Sequence, residues 1–423
     1  MFDCSNVPVE IWHLILLAII EVPWMLDTLL PTDRSYWDDT DRYHNAQGYT
    51  DSERQRRTLR LVCHSWRAFA DQHKHRCITY STDPGAKLAD QKKALDAIYS
   101  TTEQGGAPVN STPRRILFNI LRNQDFDTFR HMIENCTSKT SILFIECLPI
   151  YEDKVFDYVM SRSTKLPALR NLGIYLPTQG MPLRAISTAF PKLTTLGISD
   201  LSTILVYSSD DRLFLPELQM LRIDLAAFPT SSIKTWEIPS LIHLITQFDS
   251  ERPERFEPFQ ILGPNLLILY IYRLDIPLLL PRDFWSWCPR LQEFSTLLSH
   301  LYFEPPIPPT HPLKYIFHWP QYDGRDVSIA DVPTSRTPLL LHNLQLLPTG
   351  FERLTIWKNW QHYLTILSPR FMRKQRERIL FRMNAIAVEK GICVEDEERV
   401  TVGEFIASSE EKYGQIGSLG PNN

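Results

Sequence analysis

A short phrase recurs along the middle of the chain, and it restricts the possible fold more than any other sequence feature. Each copy starts with proline, has leucine two positions later and a second large apolar residue three positions after that. The copies start at Pro167, Pro191, Pro216, Pro239, Pro264 and Pro289, so successive copies are about 24 residues apart. A regular spacing of this length predicts a chain built from repeated structural units.

Each position of the repeated phrase has a physical role. Proline ends the preceding segment, the first leucine enters the core, and the later apolar pair, such as Leu172 and Ile174, points one face of a short strand inward. One unit cannot bury such a row alone, whereas stacked units with parallel strands can. The period lies within the range of leucine-rich repeats, although the asparagine expected after each strand is missing. The phrase therefore predicts an irregular leucine-rich-repeat-like α/β solenoid with parallel strands.

The predicted solenoid covers residues 114–400 and begins before the first copy of the phrase. Two short apolar runs, Ile116–Ile120 and Ile142–Cys147, are predicted to be buried strands. A helical pattern follows each of them, Phe126–Ile133 after the first and Val155–Met160 after the second. Strands that alternate with helices in this way favour a parallel sheet.

The C-terminal part of the solenoid is predicted to end in a basic cap helix. Its pattern covers Pro369–Lys390, with Gly391 as the C-terminal cap and a short strand at Ile392–Val394. Acidic residues follow at once, at Glu395–Glu398. We therefore interpret the charges of the helix as a solvated face and not as a nucleic-acid site. Residues 401–423 are predicted to form a flexible tail.

Strand parity predicts which side chains line the concave side of the solenoid, where a partner would bind. Early repeats place small side chains there and later repeats place aromatic ones; the predicted set is Asn171, Gly173, Tyr175, Thr195, Gly197, Ser199, Met220, Arg222, Asp224, His243, Ile245, Gln247, Ile268, Tyr270 and Tyr272. Aromatic and arginine side chains dominate many interfaces, so the candidate target-binding residues are Arg222, Tyr270, Tyr272, Phe317 and Trp319. The alternative is that these rings pack beneath the proline-rich loop Pro305–Pro312.

The N-terminal stretch from Asn6 to Ile20 has an apolar helical pattern. A helix is predicted to start at Pro8, where the missing backbone N–H costs little, and only Glu10 and His13 are clearly polar. A second pattern, Thr50–His73, starts with a capping box and is predicted to be one amphipathic helix. Its apolar positions are Leu59, Val62, Cys63, Trp66, Phe69 and Ala70. Helices this apolar must be covered by the rest of the chain or by another protein.

The stretches VPVEIWHLIL and LRLVCHSWRAFAD together resemble an F-box, the small helical module that docks on the adaptor subunit of a cullin-based ubiquitin ligase. The resemblance covers roughly the first seventy residues. It departs from the family at Val7, where leucine is usual, and in an insertion at about 21–49. The resemblance implies an adaptor-binding surface formed by Pro8, Ile11, Leu14, Ile15, Leu61, Val62 and Trp66. The alternative is a helical hairpin that caps the following domain.

This resemblance divides the chain into an F-box-like helical module at 1–80, a linker helix and loop at 81–113, and the solenoid. The linker helix is predicted at Lys87–Tyr99, and the glycine-containing stretch Thr101–Pro113 is the predicted domain boundary.

Composition restricts the class of protein. A formal net charge of −4 over 423 residues gives no general attraction to nucleic acid or to an anionic membrane. The seven cysteines are scattered without the spacing of a disulfide framework, which fits reduced thiols. The apolar run Leu14–Ile20 is too short to span a bilayer. We therefore expect a soluble cytoplasmic or nuclear protein.

The sequence contains no GxxxxGK, GxGxxG, GxSxG or HExxH motif. The nearest metal-like group, Cys63, His64, His73, His75 and Cys77, has no CxxC pair, so we expect neither a metal site nor a cofactor. We predict a protein without an active site, which docks the ligase adaptor through the F-box-like module and binds an unknown target protein through the solenoid. The alternatives are a non-ligase scaffold that uses the solenoid alone, with the N-terminal helices as its cap, and an enzyme whose motif is not recognised.

Overall fold

The computed structural model describes residues 8–20, 51–73, 76–80, 113–136, 138–177, 181–199, 210–248, 256–274, 278–296, 301–303, 307–318, 336–348, 351–356, 360–361, 373–396 and 398–413. The chain divides into two compact units, Met1–Gln219 and Met220–Asn423. Both units combine helices with parallel strands.

The first unit begins with helices and continues as alternating strands and helices. Its helices are α1 (Val9–Ile20), α2 (His64–Gln72), α3 (Asn123–Cys136), α4 (Glu152–Ser161) and α5 (Pro182–Ala189), and residues 51–59 are also helical. Its strands are β1 (Cys77–Tyr80), β2 (Arg115–Ile120), β3 (Ile142–Cys147), β4 (Asn171–Tyr175) and β5 (Thr195–Ser199). Within this unit the strands pair in parallel in chain order, β1 with β2, β2 with β3, β3 with β4 and β4 with β5.

The second unit continues the alternation with shorter helices. Its strands are β6 (Met220–Arg222), β7 (His243–Phe248), β8 (Ile268–Leu274), β9 (Leu278–Leu279), β10 (Glu293–Thr296), β11 (Leu301–Tyr302), β12 (Tyr315–His318), β13 (Arg353–Ile356) and β14 (Cys393–Asp396). Its helices are α6 (Thr230–Ile233), α7 (Pro258–Leu262), α8 (Phe284–Trp287), α9 (Arg336–Gln345), α10 (Arg373–Lys390) and α11 (Val402–Tyr413). The sheet order is β6-β7-β8-β10-β12-β13-β14, while β9 and β11 form a separate parallel pair.

The second large apolar residue of the repeated phrase holds the same register position in successive strands. In the second unit Leu221 pairs with Leu244, Leu244 with Leu269, and Leu269 with Phe294. All four side chains are fully buried. Each strand therefore buries its apolar row against the rows of its neighbours, as the repeat predicts. The predicted α/β architecture with parallel strands is confirmed.

Close packing between consecutive helices of the second unit depends on Gly263, which directly follows α7. A Cβ atom added there would lie 2.5 Å from the carbonyl oxygen of Trp287 and 2.8 Å from Sγ of Cys288, both at the end of α8. The aromatic side chains of this region also pack on one another, with the ring of Phe284 5.5 Å from that of Phe259. The core between these helices has no room for a larger residue at this position.

Three details of the secondary structure differ from the sequence predictions. Strand β1 lies inside the range 1–80 that was predicted to be a helical module, so the sheet begins earlier than expected. The predicted single helix Thr50–His73 is wrong, because a turn at residues 60–62 and the extended backbone of Cys63 separate two helices. The break lets both segments place apolar side chains on α1.

The third difference is α11, which occupies part of the predicted flexible tail. The side chains of Val402 and Ile406 are buried, which ties this helix to the core. Thr401 and Glu404 form a capping box, in which the Glu404 carboxylate accepts a hydrogen bond from Thr401 N at 2.8 Å and Thr401 Oγ1 accepts one from Glu404 N at 3.2 Å. The tail prediction is therefore wrong for residues 402–413.

Two other C-terminal predictions are confirmed, namely the end of the basic helix and its glycine cap. Helix α10 ends at Lys390, and Gly391 follows with φ of 66°, the left-handed conformation typical of a C-terminal cap. The insertion at 21–49, the predicted linker helix Lys87–Tyr99 and residues 101–112 lie outside the described residues.

Candidate protein-docking surfaces

The N-terminal helices share a small apolar core of their own. It consists of Leu16, Ile20, Leu59, Phe69 and Ala70, with Leu17 and Trp66 packed against it. These side chains come from α1, from the helical residues 51–59 and from α2, so all three segments meet there. The core uses only one side of α1, which leaves the opposite side available for other contacts.

Arg76 connects this helical module to the sheet. Its Nη2 atom donates to the carbonyl oxygen of Ile20 at 2.7 Å and to Oγ of Ser52 at 3.0 Å. Its own carbonyl oxygen accepts the backbone N–H groups of Arg114 and Arg115, which lead into β2. The guanidinium therefore bonds to two segments of the module and the backbone of the same residue bonds to a third, which holds the module on the first strands.

The side of α1 that faces away from its core is exposed and apolar. Ile11, Leu14 and Ile15 are 45%, 62% and 43% exposed. In the turn between the helical residues 51–59 and α2, Leu61 and Val62 are 87% and 56% exposed. We call these five residues the N-terminal apolar surface. Large apolar side chains this exposed on a folded module are typical of a binding site.

The other residues predicted for adaptor binding lie beside this surface. Pro8 is exposed, and Trp66 is half-buried against the apolar core. One further exposed residue of α1, Ile19, extends the surface and was not predicted, whereas the exposed Val9 lies on the same side of the helix as the buried Leu16 and Ile20. Ile19 could have been found from the sequence, because it continues the spacing of Ile11 and Ile15 by one helical turn.

Exposed arginines flank Leu61 and Val62 in the sequence. Arg57 and Arg67 are exposed, and neither forms an ion pair with a carboxylate among the described residues. Arg60 differs, because its Nε atom lies 2.7 Å from Oδ1 of Asp71. Exposed arginines close in sequence to exposed apolar residues favour a partner with acidic residues around its own apolar groove.

The strand face predicted to be concave is largely buried. Asn171 and Thr195 are buried, and so is Tyr270 in β8, whose side chain is only 5% exposed. The Tyr270 hydroxyl donates to the Glu293 carboxylate, and its ring packs edge-on against the imidazole of His243 with 5.0 Å between centroids. Tyr270 is therefore corrected from a candidate contact to a packing residue.

The remaining candidate target-binding residues are only partly available. The side chains of Arg222 and Phe317 are half-buried. The side chain of Tyr272 and all of Trp319 lie outside the described residues. Strand parity did not predict how completely neighbouring side chains cover this face.

Catalytic or metal-binding chemistry has no obvious centre among the described residues. No group of three or more histidine, cysteine or acidic residues could hold a metal ion there. The group that the sequence offered as the nearest to a metal site is not assembled within the part of the chain that the structure describes. Cys63 is exposed, and burial raises the pKa of the Cys77 thiol to about 11. His75 lies outside the described residues. Burial also raises the pKa of Cys147 to about 12, which keeps that thiol protonated and unreactive.

An open groove of about 440 Å³ lies between α4 and α5. Met160, Met181 and Arg184 line it, together with small residues of α5. It contains no pair of groups suited to proton transfer or nucleophilic attack. The N-terminal apolar surface is therefore the more distinctive candidate site.

Comparison with known proteins does not assign this chain to a family. No family model matches the sequence, and no curated protein matches it. Within the described residues, no helix combines the length and apolar character that crossing a membrane requires.

Proposed function

We propose that the protein is a substrate-recognition subunit of a cullin-based ubiquitin ligase, with the N-terminal apolar surface as its adaptor-docking site. The observation that supports this best is the exposure of Leu14, Leu61 and Val62 on a module that already has its own core. The F-box resemblance places adaptor contacts at these same residues. Exposed apolar anchors at the centre of a surface, with charges around them, resemble a protein interface.

Docking is compatible with a capping role for the same helices. The buried sides of α1 and α2 form the apolar core, and Arg76 fixes the module to the first strands. Adaptor binding would use the opposite, exposed side. The module can therefore shield the beginning of the sheet and hold a second protein at the same time.

Under this proposal the repeated strands form an irregular leucine-rich-repeat-like domain that captures a target protein. The chain itself performs no chemistry. It acts by positioning, because a target held near a charged ubiquitin carrier reacts at a high effective concentration. The bonds of Arg76 support this role within the first unit, since they hold the docking module on the first strands.

Co-purification with the ligase adaptor tests the proposal. The unaltered protein, co-expressed with the adaptor, is expected to retain it on an affinity resin. Leu14→Arg and Leu61→Arg should each reduce capture by about tenfold or more, because a charge in the centre of an apolar interface is left without a partner. Both side chains are exposed, so the variants should fold normally.

Ile150→Arg provides the matched control. Ile150 lies in the same unit and is 77% exposed, but it is not part of the N-terminal apolar surface. This variant should retain the adaptor like the unaltered protein. Failure of the unaltered protein to bind the adaptor would reject the ligase role and favour the scaffold, in which the N-terminal helices serve only as a cap.

A further inference from the structure

Helix α10 packs on the second unit with only part of its circumference. The buried residues are Ile379, Leu380, Met383, Ile386 and Ala387. They face the core, and α10 is also in contact with α9 and α11. Near its C-terminal end, Lys390 Nζ donates to the carbonyl oxygen of Leu347 at 3.0 Å. The helix is thus firmly attached, and its outer side is a fixed surface.

An apolar stripe runs along this outer side. Phe381, Ala385 and Val388 are exposed, with Phe381 at 43% and Val388 at 74%. Their spacing of four and then three residues places them on one line along a helix. A helix whose outer side is only solvated carries polar residues at such positions. The stripe therefore indicates a surface that a partner covers.

Positive charge lies directly beside the stripe. Arg378 and Arg382 are exposed, are one turn apart, and form no ion pair with any carboxylate among the described residues. The first turn of α10 contains no acidic residue, so nothing there offsets the positive end of the helix dipole. The helix also contains Glu377 and Glu389 but six arginine and lysine residues, so its charge is positive overall.

We propose that the outer side of α10 binds an acidic amphipathic helix of a target protein. Apolar residues of that helix would pack on Phe381, Ala385 and Val388, and its carboxylates would pair with Arg378 and Arg382. Anchors spaced by three and four residues are the pattern of a helix bound along a surface. Nucleic acid fits less well, because a phosphate backbone leaves the apolar stripe uncovered.

This inference rests on the proposed function only in naming the bound helix as part of a ligase target. Helix α10 belongs to the second unit and the N-terminal apolar surface to the first, so no residue is shared between the two sites. Peptide binding and adaptor capture are measured separately, so the failure of one is distinguishable from the failure of the other.

Fluorescence anisotropy with the full chain tests the inference. The probe is a labelled, helix-forming peptide of leucine and glutamate, and a leucine and lysine peptide of equal length is the comparison. We expect saturable binding of the acidic peptide and none of the basic one. Arg378→Glu combined with Arg382→Glu should weaken binding of the acidic peptide at least tenfold, and so should Phe381→Ser combined with Val388→Ser.

The matched control changes the same residue types elsewhere. Arg212→Glu combined with Phe214→Ser alters an exposed arginine and a 51% exposed phenylalanine of the first unit, and it should leave peptide affinity unchanged. Equal affinity of the acidic peptide for all variants would overturn the inference. So would tighter binding of a single-stranded RNA that competes with the peptide.

Discussion

The indole rings of Trp12 and Trp66 lie 5.8 Å apart with an angle of 49° between their planes. They join α1 to α2 beside the N-terminal apolar surface, and both side chains are half-buried. Trp66 also packs against the apolar core of the module. Trp66 therefore contributes to the packing of the module, whereas the side chain of Leu61 is 87% exposed.

Substitution of these two residues should separate stability from binding. Trp66→Ala removes a ring that packs on Trp12 and on the core, and we expect the free energy of unfolding to fall by about 2 kcal/mol, less than for a fully buried tryptophan. Leu61→Ala should change it by less than about 0.5 kcal/mol while still weakening adaptor capture. Urea denaturation and co-purification measure the two effects. An unfolding free energy equally lowered in both variants would contradict this division of roles.

The exposed arginines that flank Leu61 and Val62 in the sequence predict a dependence on salt. Arg57→Glu combined with Arg67→Glu should reduce adaptor affinity about tenfold at low ionic strength and much less in 0.5 M salt, because the charges are exposed and screened. Surface plasmon resonance at both salt concentrations measures the effect, which should lie mainly in the association rate. Arg212→Glu, an exposed arginine away from this surface, is the control and should have no effect. A loss that persists at high salt would argue against an electrostatic origin.

The strands could be predicted from the sequence because their signal is local. Each copy of the phrase carries its own buried residues, such as Leu196 and Ile198, so no knowledge of neighbouring copies was needed. The tail helix also had a local signal, the capping box of Thr401 and Glu404, which the prediction of a flexible tail did not use.

Other features depend on tertiary packing and could not be predicted. Leu59, Val62, Cys63 and Trp66 fit one continuous helical stripe, and only packing on α1 shows that the helix breaks between them. Likewise, strand parity cannot predict the burial of Tyr270, because its ring is covered by Glu293 and His243 in adjacent strands. The exposure of the N-terminal apolar surface is also a property of the folded module, not of its composition.

Gly263→Ala should destabilise the second unit. The added Cβ atom would meet the Trp287 carbonyl oxygen at 2.5 Å, and a backbone atom cannot move aside as a flexible side chain can. We expect the free energy of unfolding to fall by about 2 kcal/mol, as for other overpacked cores. Gly391→Ala is the comparison. A Cβ atom added there would meet no other atom within 4 Å, but the backbone φ of 66° disfavours alanine. We expect the free energy of unfolding to fall by about 1 kcal/mol in this variant. A Gly263→Ala variant no less stable than Gly391→Ala would show that α7 and α8 can separate without penalty.

The buried His243 makes the stability of the second unit depend on pH. Burial lowers the pKa of its imidazole to about 3, whereas the unfolded chain has the ordinary value of 6.5. Between these two values the unfolded state binds a proton that the folded state does not. The stabilisation from the neutral imidazole is therefore complete above about pH 6.5 and decreases as the pH falls toward 3. Burial also lowers the pKa of His73 in the first unit, to about 4, so each unit loses stability in the same direction.

His243→Phe should remove the contribution of this histidine to the pH dependence. Phenylalanine retains an aromatic ring beside Tyr270, and the Nε2 atom that it removes has no hydrogen-bond partner. In the parent protein we expect His243 to lower the free energy of unfolding of the second unit by about 2 kcal/mol between pH 7.5 and pH 5. Amide hydrogen exchange in β7 and β8 at the two pH values, corrected for the intrinsic rate, measures this loss in the strands that contain and adjoin His243. The exposed His342 is the control, because His342→Gln should keep the parent dependence. If His243→Phe lost as much protection as the parent at pH 5, the titration of another group would have to explain the acid sensitivity of these strands.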